Sequence, residues 1–316
     1  MPFSFRWNCA LDTDSSKMKT DLDHLPGGKR RDLERIVEIL FAEFEDATSL
    51  ATQKWKKQGR ILKVILYGSY ARGNWVADPV GGYYSDYDIL VVVSDDRLTD
   101  PVDYWYKAED RFLRDYSISK RLSAPVGLIV HSMKDVNFQL ARGRPFFIDI
   151  VRDGVVLYQL DNHSFDTPKP LSAEEAREEA KTYFDKWFKS ASAFLKNAGY
   201  AINDGENNLA AFLLHQAAEH FYHTVLLVMT LYSPKSHKIK FLRDRSEDIA
   251  RDLIPIWPRD SKFGRRCFEL LQQAYVNARY SPHYKITGPE LEWLVERIDL
   301  LQAEVKAIAE RRLAGD

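Results

Sequence analysis

The chain is short of several things, and each shortage removes a class of protein. Only two cysteines, Cys9 and Cys267, occur among 316 residues, and they lie far apart. A disulfide framework is therefore not expected, and a reducing cytoplasm is the natural setting. Net charge is nearly absent, at -1. The whole molecule does not steer toward nucleic acid, and any polyanion site must be a local patch. The most apolar run, VLLVMTL at 225–231, falls far short of the roughly 20 residues that span a bilayer. The first residues, MPFSFRWNCALDTDSS, lack a cationic start followed by an apolar core, so no secretory signal is expected. Internal repeats and low-complexity tracts are missing too.

What is present is globular: 45% hydrophobic and 29% charged residues, at a length that suits two domains better than one core. In the first half, Leu33, Ile36, Val37, Leu40, Phe41 and Phe44 recur at helical steps and predict a helix over 30–55, ended by Gly59. ILKVILY (61–67) is β-rich and almost wholly apolar, as a buried strand is. A Gly-rich stretch, 68–85, leads into a second apolar strand, YDILVVV, ending near Val93. A helix is expected over 103–115, a third strand at PVGLIVH (125–131) and a short helix over 132–141. Residues 146–158 read as irregular or strand, with a turn at Asp153-Gly154. This alternation argues for an α/β domain.

The character changes near residue 160. Asp161-Asn162-His163 and Thr167-Pro168-Lys169-Pro170 read as a linker, placing the domains at 1–160 and 165–316. Ser172 with Glu175 forms a capping-box signature that opens a long helix. Asn203-Asp204-Gly205 breaks it, and further helices are expected over 206–232, 262–278 and 289–312, the last opened by Thr287 with Glu290. Four main helices make a bundle.

The informative segment is YGSYARGNW (67–75) followed by SDYDILV (85–91). A buried strand running into Gly68-Ser69 exposes backbone N–H groups where phosphate binds well. Gly68 allows close approach, the Ser69 hydroxyl adds a hydrogen bond, and Arg72 is placed to neutralise phosphate charge. Asp86 and Asp88, two apart on a strand, point to one face. Paired carboxylates there suit Mg²⁺ or Mn²⁺, with Ser85 beside them. Because they sit at a strand end, their replacement by alanine is expected to disturb folding little. The 75–84 insertion reads as a base-stacking loop or an extended surface loop.

GSYARG with SDYD resembles the signature of the DNA polymerase β-like nucleotidyltransferase superfamily, G-S-x-A-R-G…S-D-x-D, to which minimal bacterial members and the aminoglycoside nucleotidyltransferases belong. The resemblance covers about 30–158. It implies an α+β domain with a mixed sheet, holding a nucleoside triphosphate and Mg²⁺ at Gly68, Ser69, Asp86 and Asp88. One departure stands out. Members supply a third carboxylate from a later strand, where this chain has Gly127. Asp149, in FFIDIV, is the nearest substitute but lies in a different segment, and without a third acid a general base is missing. His131 reads as structural.

The second half resembles the HEPN domain (higher eukaryotes and prokaryotes nucleotide-binding). The matching residues are LLHQAAEHFYHTVLLV (213–228), SPKSHKIKFL (233–242) and AYVNARYSPHYKI (274–286), so the resemblance covers about 172–312 and implies an all-helical bundle. HEPN ribonucleases use an Arg followed by a His with four to six residues between them. Arg279 and His283 have only three residues between them, with Pro282 beside, so ribonuclease activity is not implied. Arg279 is left to bind a nucleotide or partner, or to pair with Glu219. His215, Glu219 and His223 line one helix face, read as packing against a neighbour rather than metal binding. Lys235, Lys238, Lys240, Arg243 and Arg245 form a basic stretch open to RNA phosphates, but diluted by Asp244, Glu247 and Asp248 it reads first as a solvated face. Tyr275, Tyr280 and Tyr284 near Arg279 are placed to stack on a base or, as is usual at such spacing, to serve the core.

Together these readings point to a soluble, cytoplasmic transferase that moves a nucleoside monophosphate, most naturally AMP, from a nucleoside triphosphate to a hydroxyl or phosphate acceptor. The acceptor class stays open among protein, RNA and small molecule, RNA not being implied by the charge. By resemblance, a toxin–antitoxin or defence setting and a homo-oligomer through the helical domain are expectations. The alternatives are an aminoglycoside-type enzyme and a nucleotide sensor without turnover.

Overall fold

The structure is a computed structural model that describes residues 18–49, 51–78 and 83–315; Cys9 and the segment read for a secretory signal lie outside the described residues. Helix α1 (Gly27–Ser49) buries Leu33, Ile36, Val37, Leu40 and Phe44, the expected face. It stops well before residue 55. Thr48 and Ser49 donate their hydroxyls back to the carbonyls of Phe44 and Asp46, which closes the last turn, and α2 (Lys54–Lys57) is a separate turn. Strand β1 (Ile61–Tyr67) is buried along its whole length and runs into the short α3 (Gly68–Arg72). A small hairpin, β2 (Ala77–Asp78) and β3 (Tyr83–Tyr84), follows, and its tip at 79–82 lies outside the described residues. Strand β4 (Tyr87–Val93) is as buried as β1, as a continuous apolar run requires. Then come α4 (Tyr106–Ser117), β5 (Val126–Ser132), α5 (Met133–Ala141), α6 (Pro145–Asp153) and β6 (Val155–Gln159).

The sheet has the order β5-β4-β1-β6. β4 and β5 are parallel, whereas β1 is antiparallel to both of its neighbours, so the sheet is mixed. Alternate residues serve two layers. Val64, Leu66, Tyr87, Ile89 and Val91 pack with α1 and α4, and Ile65, Tyr67, Leu90 and Val92 pack with α5 and α6. Residues 145–153 correct the expectation of irregular chain or strand. Pro145 sits at the first turn of α6, where its fixed φ suits a helix, and Phe147 and Ile150, three apart, are its buried face.

The second half is helical. Ser172 and Glu175 form a capping box at α7 (Ala173–Asn203); α8 (Asn207–Thr230), α9 (Ile239–Ile249), α10 (Lys262–Tyr280) and α11 (Gly288–Ala314) follow. Leu214, Phe221 and Val225 of α8 sit at the centre of this core with Leu271, Leu294 and Ile298. Helix α9 adds a fifth helix to the expected four, within the stretch read as a solvated basic face. Arg243 and Arg245 are in fact buried. No described helix is long and apolar enough to cross a membrane.

The halves meet on the α5–α6 side of the sheet. Tyr232, just after α8, stacks on Phe146 (4.3 Å, 16°) and meets Phe147 edge-on. Its hydroxyl hydrogen-bonds His131 Nε2 at 2.7 Å. Lys238 adds an ion pair to Glu109 of α4, at 2.6 Å.

Candidate functional site

The turn from β1 into α3 is made by Gly68 at φ +72°. That left-handed backbone favours glycine, and a Cβ there would also overlap the Asp88 carboxylate. Ser69, next along, is buried, and its hydroxyl has no hydrogen-bond partner. A buried, unsatisfied hydroxyl calls for a partner, but Ser69 itself lines neither the cavity beside Gly68 nor the groove between the two halves.

Tyr87 sets the direction of its two neighbours. Its ring packs on Tyr70 (4.4 Å), and its hydroxyl donates to Asp32 of α1 at 2.8 Å. With Tyr87 anchored on the α1 side, Asp86 and Asp88 face the opposite layer, toward the helical half. There they meet Arg245 of α9. Its guanidinium touches Asp88 Oδ1 directly, stands 3.9 Å from Asp86 Oδ2 and lies 3.6 Å from Asp248 Oδ2. Asp88 and Arg245 are 1% and 6% exposed, so this is a buried charge cluster. Burial, with the nearby Asp244 charge, pushes the Asp86 carboxyl up to about 6, against the pull of Lys240 and Arg245.

Gly127 completes the arrangement by having no side chain. Parallel pairing sets it opposite Asp88, and a Cβ there would come within 3.2 Å of the Arg245 Nη2 and 3.4 Å of Asp88 Oδ1. The position that lacks the third acid is the position against which the guanidinium rests. The premise of the expectation that alanine at 86 and 88 would leave folding nearly untouched, an open strand end, does not hold. These acids are not at an open strand edge but beneath the helical half. Removing one partner of a buried pair leaves the other charge poorly compensated.

Gly68, Arg72, Asp88, Asp149 and Arg245 line one cavity of about 120 Å³. That is well under the roughly 300–1,000 Å³ of small-molecule pockets, so the cavity is too small for a nucleotide in this arrangement. Asp86 lies on the other side of the guanidinium and faces a larger groove between the two halves.

The remaining expected residues are more dispersed. Asp149 lies on α6, not on a strand, and pairs with Arg152 at 2.9 Å. The Ser85 hydroxyl accepts from the Val76 N–H at 3.0 Å and tethers the β2–β3 hairpin. Trp75 stacks on Tyr70 (5.3 Å, 9°), committing the start of the 75–84 insertion to the domain's own packing. Arg279 and His283 line neither the cavity nor the groove. Arg279 lies over the rings of Phe212, Tyr275 and Tyr280 and donates to the Tyr275 carbonyl. The suggested pairing with Glu219 is not made. Glu219 is taken by His237 and His215, at 3.0 and 3.4 Å.

Comparison with known families fits this geometry. Residues 50–154 match the nucleotidyltransferase domain family, and residues 184–307 match the HEPN domain family. The chain joins a nucleotidyltransferase domain to a HEPN domain. No curated protein matches it. Gly68, Ser69, Asp86 and Asp88 all lie in the nucleotidyltransferase domain, whereas Arg245 comes from the HEPN domain. Sequence reasoning missed Arg245 as a site residue. The available signal was a stripe of Phe241, Arg245 and Asp248 at helical spacing, an aromatic and two charges on one face of α9.

Proposed function

We propose that the nucleotidyltransferase domain binds a nucleoside triphosphate beneath the HEPN domain and transfers its nucleoside monophosphate, expected to be AMP, to a hydroxyl or terminal phosphate. The observation that carries this reading is the meeting of Asp86 and Asp88 at one positive group, beside the bare backbone of Gly68. Ser69 donates its free hydroxyl to a phosphate oxygen, and Arg72, on the cavity wall, meets the phosphate charge. Two carboxylates around one cation are also the donor chemistry of Mg²⁺ or Mn²⁺. At present the guanidinium fills that space, so the pair fits a divalent ion once Arg245 withdraws. Asp86 and Asp88 would then hold the ion, which would neutralise triphosphate charge. The HEPN domain has to move for a nucleotide to enter, and the acceptor arrives through the space it vacates. The groove lining has both signs, with Asp100, Asp103 and Glu109 set against Lys235, Lys238 and Lys240. This mixture selects neither an aminoglycoside nor an RNA acceptor.

Gly127 favours a second reading, nucleotide binding without turnover, because no third carboxylate stands opposite Asp88 to take a proton from the acceptor. One experiment separates the two. The full chain is incubated with α-labelled ATP, Mg²⁺ and a cell extract, beside an Asp86→Asn variant. Label transferred by the wild type and not by the variant supports transfer. Tight ATP binding without transfer supports the second reading, and neither binding nor transfer sinks both.

A further inference from the structure

We infer that Arg245 is a tethered competitor of the divalent ion: its guanidinium occupies the cation position between Asp86 and Asp88, so metal binding and docking of the HEPN domain exclude one another. The inference rests on reading those acids as cation ligands, but it does not depend on transfer occurring.

Charge and space lead to the same conclusion. Inside the protein, Asp86 and Asp88 repel each other unless a cation lies near both, and Arg245 from the other domain reaches both, with Lys240 also acting on Asp86. Asp248, on the same helix, approaches the guanidinium from behind. Helix α9 is braced so that this side chain points at the sheet. Lys240 pairs with Asp244 at 2.6 Å, Arg243 pairs with Asp244 and lies over the Phe268 ring, and Arg259 pairs with Glu247 at 2.5 Å. Gly127 leaves room that any larger residue would take from the guanidinium. A guanidinium and a hydrated divalent ion cannot share this space, so one must leave when the other arrives. Because Arg245 is buried between α9 and the sheet, its departure removes one of the contacts, beside those of Tyr232, that hold the HEPN domain docked. The latch thus ties nucleotide access to whatever moves that domain.

The test measures Mn²⁺ binding to the full chain by the loss of the free-ion electron paramagnetic resonance signal, with no nucleotide present. The wild type should bind weakly, and Arg245→Gln at least tenfold more tightly. Because Arg245→Gln disturbs a buried cluster, Tyr232→Ala serves as a second probe. It loosens domain docking without touching the carboxylates and should also tighten Mn²⁺ binding. Asp86→Asn added to either variant should abolish the gain. Wild-type binding as tight as that of both variants would overturn the proposal, as would the absence of Mn²⁺ binding from all three. Tight Mn²⁺ binding by the variants with no label transfer in the extract assay would leave the latch standing and remove only the transferase reading.

Discussion

The Arg245 guanidinium and the Asp88 carboxylate meet inside the protein, one from α9 of the HEPN domain and the other from the second residue of β4. Breaking such a pair from one side costs about 3–5 kcal/mol, whereas removing both charges costs less than the sum. Asp88→Ala and Arg245→Ala should each lower the unfolding midpoint markedly, and the double variant should fall short of their combined loss. Thermal unfolding of the four proteins checks this, and strict additivity would show that the two side chains do not act as a pair.

Gly68→Ala should be costly in two ways. The left-handed backbone costs a residue with a Cβ of order 1 kcal/mol, and the added methyl would displace the Asp88 carboxylate. Stability should drop by more than that backbone cost alone, and titrated ATP should bind weakly or not at all. Unchanged ATP affinity would remove Gly68 from the site.

His223 predicts an acid-sensitive HEPN domain. Burial holds its imidazole down at about 4 from the usual 6.5, with His220 and His237 adding to the effect and Glu219 and the Ser236 backbone opposing it. The unfolded chain takes up this proton first, so stability from the neutral ring is complete above pH 6.5 and is lost as pH falls from 6.5 toward 4. The loss reaches roughly 3 kcal/mol. Urea unfolding between pH 4 and 7 should show that slope in the wild type and a shallower one in His223→Gln. Equal slopes would assign the acid limb to other groups.

Tyr232 predicts a docking contact. Replacing it with Ala removes a stacked ring and the hydrogen bond to His131, so the linker between β6 and α7 should become easier to cleave. Limited proteolysis should cut the variant between residues 160 and 172 several-fold faster than the wild type, and equal rates would place the hold between the domains elsewhere.

The parts of this fold legible in the chain are those whose burial is local. ILKVILY and YDILVVV declare themselves because a strand covered on both faces needs an unbroken apolar run, and the observed limits of both strands follow. Ser172 with Glu175 and Thr287 with Glu290 mark helix starts through contacts only three residues apart. FFIDIV misleads because aromatic and β-branched residues suit a strand, and it is the docking of α6 on the sheet that decides for helix. Arg245 is the larger miss. Lys240 with Asp244 and Arg243 with Glu247 have the four-residue charge spacing of an exposed helix face, yet Arg243 and Glu247 turn inward onto Phe268 and Arg259 of their own domain, and Arg245 turns toward the acids of the other.

The pairing of Gly127 with Arg245 also limits how this protein can change. An acid placed at position 127 would stand directly against the guanidinium, and any side chain there would make the arginine tip shift to admit it. The two positions, in different domains and more than a hundred residues apart, are therefore not free to vary one at a time. Any third carboxylate gained at position 127 would first face that arginine.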